Sequence, residues 1–221
     1  VDTKDSFIHE LLGKIEVLEK FNHKHANSNA PKEDMDEVFG LIGQILEVLK
    51  GSSLDENLFY SSANAIAQAA TIIIKTEHNF DSAQILLLKT TIIDCFKART
   101  ASDDSNANNS PASGYSPTPR TNAAEGLVPL YLWFKENEIE ELIKEAANDV
   151  SGPIRFHVLV HTPKLFKDHY ELYRDIIYER FKLEQDDFIY GYLISLIHFK
   201  KETIQEDVAE IVTQTNKRVF G

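Results

Sequence analysis

The chain has 221 residues, 43% of them hydrophobic and 26% charged, with a formal net charge of −12 at pH 7. That length suits one large helical domain or two small ones and is long enough to bury a real core. An acidic field repels phosphate backbones and anionic surfaces, so nucleic-acid binding and membrane-surface binding are disfavoured. The acidity is spread along the chain: residues 1–99 carry 15 acids against 10 bases, and residues 123–221 carry 18 against 12.

One cysteine, Cys95, rules out a disulfide framework within the chain. No apolar stretch follows the polar start Val1–Asp5, so no signal peptide is expected. Apolar runs such as Ile72–Ile74 and Ile85–Leu88 are too short to span a bilayer. Cytoplasm is the expected compartment, or the nucleus. The start at Val1 rather than at methionine raises the expectation of flanking domains.

Helical spacing begins near Ser6, with Ile8, Leu11, Leu12, Ile15 and Leu18 on one face. The polar run Asn22–Pro31 breaks it. Asp34 with Glu37 has the form of a capping box for a second helix. The stripe of that helix is Met35, Val38, Phe39, Ile42, Ile45, Leu46 and Leu49, and Gly51 ends it. Ser53 with Glu56 is the expected opening of a third helix that runs to about Glu77. Its middle, Ser61–Ala70, is built of small side chains that let a neighbouring helix approach closely. Asp81 caps a fourth helix to Arg99, apolar over more than half its circumference and therefore expected to be central.

Ala101–Asn122 is rich in Ser, Asn, Asp, Pro and Ala, with Tyr115 as its one large apolar residue. Such a segment buries too little surface to offset its ordering entropy, so residues 100–122 are expected to be disordered. An Asn- and Ser-rich insertion of this kind points to a eukaryotic source. Ser110, Ser116 and Thr118 each precede a proline, and Arg99–Ser102 has a basophilic format. Ser102, Ser110, Ser116 and Thr118 are the candidate phosphorylation sites, where phosphate would add charge to an already acidic protein.

Helices are expected to resume at Ala123, with Pro129 in the first turns, followed by Ile139–Val150. Ser151-Gly152-Pro153 is a stop and restart before a short helix, Ile154–Val160. Thr162-Pro163 opens the next helix, to about Phe181. Asp186–Lys200 and Glu202–Lys217 complete the series. No strand pattern appears. The expected fold is all-α, with about nine or ten helices as antiparallel pairs, in a bundle or an armadillo- or HEAT-like solenoid. Residues 1–99 and 123–221 are expected to share one core.

No phosphate loop, dinucleotide fingerprint or serine-hydrolase elbow occurs, and no cofactor motif is found. His157 and His161 stand at i and i+4, a spacing able to bind metal, but Val158 occupies the position where a zinc protease needs glutamate. The bland reading, two locally hydrogen-bonded histidines on a buried helix, is preferred, and no metal is assigned. The C-terminal third is rich in Tyr131, Trp133, Tyr170, Tyr173, Tyr178, Tyr190 and Tyr192. Tyrosine and tryptophan suit protein interfaces because they bury area and keep a polar tip. The expectation is a non-enzymatic scaffold, adaptor or regulatory domain that binds a peptide, a helix or a folded protein. Tyr131, Trp133, Tyr170, Tyr173, Tyr190 and Tyr192 form its partner surface, and the insertion regulates access. The alternatives are a lipid or small-ligand carrier with apolar helices around Ile85–Phe96, and an enzyme centred on His157 and His161.

Overall fold

The computed structural model describes residues 3–76, 79–200 and 213, which form ten α-helices and no strand among the described residues. The end of the third expected helix at Glu77 lies outside the described residues, as does nearly all of the last one, 202–217.

Apolar spacing explains the first half of the chain. α1 (Thr3–His25) buries Leu11, Ile15 and Leu18 but turns Leu12 to solvent. α2 (Lys32–Gly51) buries Met35, Val38, Phe39, Ile42, Ile45 and Leu46, the stripe expected from spacing. Its start differs from expectation. The helix opens at Lys32 behind Pro31, and Asp34 is drawn away to accept hydrogen bonds from Lys24 Nζ and His25 Nε2, at 2.5 and 2.8 Å. α3 (Glu56–Ile74) is capped by Asp55, not Ser53, whose carboxylate accepts from the Leu58 amide at 2.9 Å. α4 (Ser82–Lys97) has Asp81 as N-cap in a reciprocal box with Gln84.

The small-residue stretch of α3 sets the architecture. Ser62, Ala63, Ala65, Ala67, Ala69 and Ala70 are all buried, and α3 packs against α1, α2, α4 and α6 (Pro119–Phe134). Close approach needs a small residue on the facing helix as well, and Gly126 supplies it. A Cβ there would lie 2.8 Å from Thr71 Oγ1 and 3.0 Å from Ile92 Cδ1. The central pair is therefore α3 and α6, with α4 beside them and its Leu86 exposed. α7 (Asn137–Ala147) and α8 (Gly152–His161) pack on α6. α9 (Tyr170–Leu183) and α10 (Asp187–Lys200) follow. Thr162-Pro163 opens a 3-10 turn, Thr162–Leu165, rather than the long helix expected there. The buried apolar cluster is continuous and draws on residues from Leu11 to Ile197.

Residues 100–122, expected to be disordered, take up local structure. The segment contains α5 (Ala101–Ser105), a 3-10 turn at Pro111–Ser113 and the first turn of α6, which starts at Pro119 behind Thr118. Polar groups order it in place of apolar area. Asp103 is buried and accepts from the Thr100 amide at 2.8 Å, the Thr100 hydroxyl at 3.0 Å and the Thr118 hydroxyl at 2.7 Å. Asn106 Nδ2 donates to the Ser116 carbonyl at 2.7 Å. The Tyr60 hydroxyl donates to the Pro117 carbonyl, and that of Tyr115 meets His157 Nε2. Gly152 admits the segment's backbone: a Cβ there would stand 2.5 Å from the Asn109 carbonyl oxygen. A satisfied buried polar network of this kind rigidifies a segment that hydrophobicity alone leaves loose.

Two buried ion pairs tie the segment's flank and the C-terminal helices together. Arg120 donates to the Phe96 carbonyl at 2.9 Å and to Asp149 at 2.7 Å. Arg155 makes a bidentate pair with Glu184, at 3.0 and 2.8 Å, and the Glu184 side chain is fully buried. No helix among the described residues is long and apolar enough to cross a membrane.

Candidate functional site

Helical phase divides the six aromatic residues expected at a partner surface. Tyr173 and Tyr190 face inward, Tyr173 against Phe166 and Tyr190 against Phe181, with ring centroids 5.2 and 4.7 Å apart. Burial, with Tyr192 and Tyr170 nearby, pushes the Tyr173 phenol up to about 12, and its hydroxyl has no hydrogen-bond partner among the described residues. As the chain is folded, these two are core residues and are corrected from the partner surface. Tyr192 is half-buried against Phe156, at 5.5 Å. Trp133 is 40% exposed and leans on Phe80, with ring centroids 5.7 Å apart.

Tyr131 and Tyr170 come together. They line a notch of about 390 Å³ where α6, α7 and the start of α9 meet, with Glu140, Lys144, Asp168, His169, Glu171, Leu172 and Asp175. Tyr131 is mostly buried, its ring 5.0 Å from that of His169 and its hydroxyl donating to Glu140 at 3.4 Å. Tyr170 is held edge-on by Phe166 at 5.5 Å. Lys144 is spent on Glu140 and Glu141, at 2.8 and 3.0 Å, and these hydrogen bonds raise it above the usual lysine range. Arg174 reaches Asp175 at 2.9 Å from an exposed position. Asp168 and Glu171 have no ion-pair partner among the described residues. His169 Nε2 is buried at the notch without a hydrogen-bond partner among the described residues. Of the four carboxylates, Glu140 and Asp175 are paired and Asp168 and Glu171 are not, and beside two aromatic rings that arrangement attracts a cation and gives it aromatic faces to rest on.

The two histidines do converge, on a residue the sequence did not single out. Glu125 of α6 lies 3.4 Å from His161 Nε2, 3.8 Å from His157 Nδ1 and 2.8 Å from Lys75 Nζ. Burial opposes ionisation of the Glu125 carboxyl, but the His161 hydrogen bond and Lys75 outweigh it and hold the group at about 2. Burial lowers His157 below the usual imidazole range, helped by His161 and Lys75 against the pull of Glu125. Among the described residues no group of three or more His, Cys, Asp or Glu side chains is placed to hold a metal ion.

The four phospho-acceptor candidates separate by exposure. Ser116 is exposed, and Ser102 and Ser110 are half-buried. The Ser110 hydroxyl accepts from the Ala112 amide at 3.2 Å. Thr118 is fully buried, with its hydroxyl shared between Asp103 and the Thr121 amide. Phosphate does not fit there, and Thr118 is corrected to a helix cap. A second cavity, an open apolar groove of about 430 Å³, is floored by Leu46, Leu49, Phe59, Ala63 and Ala98 with Lys50, Asp94 and Lys97 at its mouth. Cys95 borders it as a buried thiol that burial pushes up to about 12, far from nucleophilic.

The chain matches no known protein-family model, no curated protein and no solved structure.

Proposed function

We propose that this is a protein-interaction domain and that the notch between α6, α7 and α9 receives a basic side chain of its partner. One observation carries the reading: Tyr131 and Tyr170 frame a cavity with Glu140, Asp168, Glu171 and Asp175, in which Lys144 is taken by Glu140 and Glu141, Arg174 by Asp175, and Asp168 and Glu171 have no ion-pair partner among the described residues. A guanidinium or ammonium entering there meets the carboxylates of Asp168 and Glu171 and an aromatic face. The net charge of −12 steers basic segments toward the domain from a distance. Selection from a random-peptide display library tests it. Peptides enriched on the intact chain should carry arginine or lysine and should be lost with Tyr170→Ala combined with Asp168→Asn. Enrichment of apolar or acidic peptides, unaffected by the double substitution, contradicts the proposal.

The apolar groove beside α2, α3 and α4 favours a second reading, a small-ligand carrier. Its volume falls within the range of small-molecule sites, and its floor is apolar with charge only at the mouth. Native mass spectrometry of the purified chain tests that: a copurified ligand lost on Ala63→Phe supports it, and a bare chain counts against it.

A further inference from the structure

Arg180 is a buried cation with an unused edge. Its side chain keeps 9% of its exposure, and its Nη1 donates to the Ala147 carbonyl and to Asn148 Oδ1, both at 3.3 Å. Nε is buried without a hydrogen-bond partner among the described residues; Glu184 Oε2 lies 3.1 Å away but off the line of the N–H. Nη2 makes no hydrogen bond among the described residues either. Nε–H and one N–H of Nη2 point the same way, and this is the edge with which Arg155 grips Glu184, at 3.0 and 2.8 Å. Glu184 also accepts from the amides of Gln185 and Asp186, at 3.0 and 2.8 Å, so its charge is met without Arg180. Burial pulls the Arg180 guanidinium below the usual arginine range; Glu184 opposes this and Arg155 adds to it.

Arg180 and Arg155 line a polar cavity of about 450 Å³ between the insertion and the ends of α7, α8 and α9. Asn108 and Asn109 of the insertion, Asn148 and Gln185 give it amide walls. Asp149 and Asp186 also line it, but Asp149 is paired with Arg120 at 2.7 Å, and Asp186 accepts from the Phe188 and Ile189 amides at 2.9 and 3.1 Å. Two guanidinium groups therefore share one carboxylate, Glu184, and only Arg155 is aligned with it.

From this arrangement we propose that the cavity binds a carboxylate, held side-on by Nε–H and Nη2–H of Arg180, with the insertion's asparagines beside it. A planar carboxylate brings two acceptors at the spacing of that edge and gives the buried Nε–H the partner it lacks. Asp149, Glu184 and Asp186 on the same walls disfavour a dianion such as phosphate. The cavity shares no residue with the notch, so the two proposals stand or fall separately.

Arginine side-chain 1H–15N spectra of the intact chain, titrated with sodium acetate against sodium chloride of equal ionic strength, test the site. The Arg180 Nε–H resonance should move saturably with acetate alone. Arg180→Lys keeps the charge and removes the edge; read at the Arg155 Nε–H, it should weaken binding about tenfold. Asn108 is exposed, and its side chain makes no hydrogen bond among the described residues. Asn108→Asp sets a like charge on the wall without touching the core and should weaken binding about threefold. It carries the test if the lysine variant fails to fold. A parallel titration with N-acetylglycine separates the sources: tighter binding than acetate identifies the end of a polypeptide as the ligand, and preference for acetate identifies a free acid. Shifts in acetate that match those in chloride, or an affinity unchanged in every folded variant, overturn the proposal.

Discussion

Replacing Asp103 by alanine should release the insertion. Its carboxylate accepts from the Thr100 amide, the Thr100 hydroxyl and the Thr118 hydroxyl, at 2.8, 3.0 and 2.7 Å. All three residues are buried, so the substitution strands donors away from water. Each stranded donor costs about 1–3 kcal/mol. The Thr118 proton can turn toward Thr121 Oγ1, 3.5 Å away, and so recover part of its share. Loss of the buried carboxylate's own desolvation penalty offsets more. The net cost is about 3 kcal/mol, borne locally. Amide hydrogen exchange reads it directly. The Asn106 amide, bonded to the Ser102 carbonyl at 3.1 Å, and the Asn109 amide, bonded to the Asn106 carbonyl at 3.0 Å, lie inside the segment. Their exchange should quicken about a hundredfold, while amides of α3 hold their protection. Exchange at both positions within about twofold of the original would refute the claim that polar bonding orders this segment.

Three further outcomes follow from the packing and the charges. Gly126→Val should separate α3 from α6, because even a Cβ would stand 2.8 Å from Thr71 Oγ1; a loss of about 3 kcal/mol or more in urea unfolding is expected. Arg120→Met should cost about 3–5 kcal/mol by leaving Asp149 buried and unpaired, and Asp149→Asn on the same background should recover part of it. Acidification should destabilise the fold through Glu125. Its folded value is depressed from 4.5 to about 2, so its contribution is complete above 4.5 and is lost as pH falls toward 2. That depression is worth about 3 kcal/mol at most. Glu125→Gln should flatten the acid limb of a stability-against-pH curve measured by urea unfolding.

The apolar framework was legible because burial follows residue spacing. The α2 stripe and the small face of α3 were both readable before any coordinate, since a helix repeats every 3.6 residues whatever lies against it. The partner of that small face, Gly126, was not, because nothing local marks a glycine in α6 as the other half of a close crossing. The local structure of the insertion is not legible in its composition. Its composition is that of a loose linker, and its order comes from Asp103, Asn106 and Thr118 meeting one another and the helices across intervals that composition does not register. The site was half visible. Tyrosine excess flagged Tyr131 and Tyr170, but only helical phase separates them from Tyr173, which points into the core three residues after Tyr170. The His157–His161 pair was visible as spacing, yet its carboxylate stands 36 residues before His161 on another helix.

The most direct measurement of the central claim is fluorescence anisotropy of a labelled oligoarginine peptide titrated with the intact chain and with Tyr170→Ala. An acidic protein attracts such a probe through its overall field, but Tyr170→Ala leaves that field unchanged. If the notch is the binding site, the substitution should weaken binding about tenfold, the scale of a lost aromatic anchor at an interface. Equal affinity of the two proteins would place the peptide elsewhere and contradict the account.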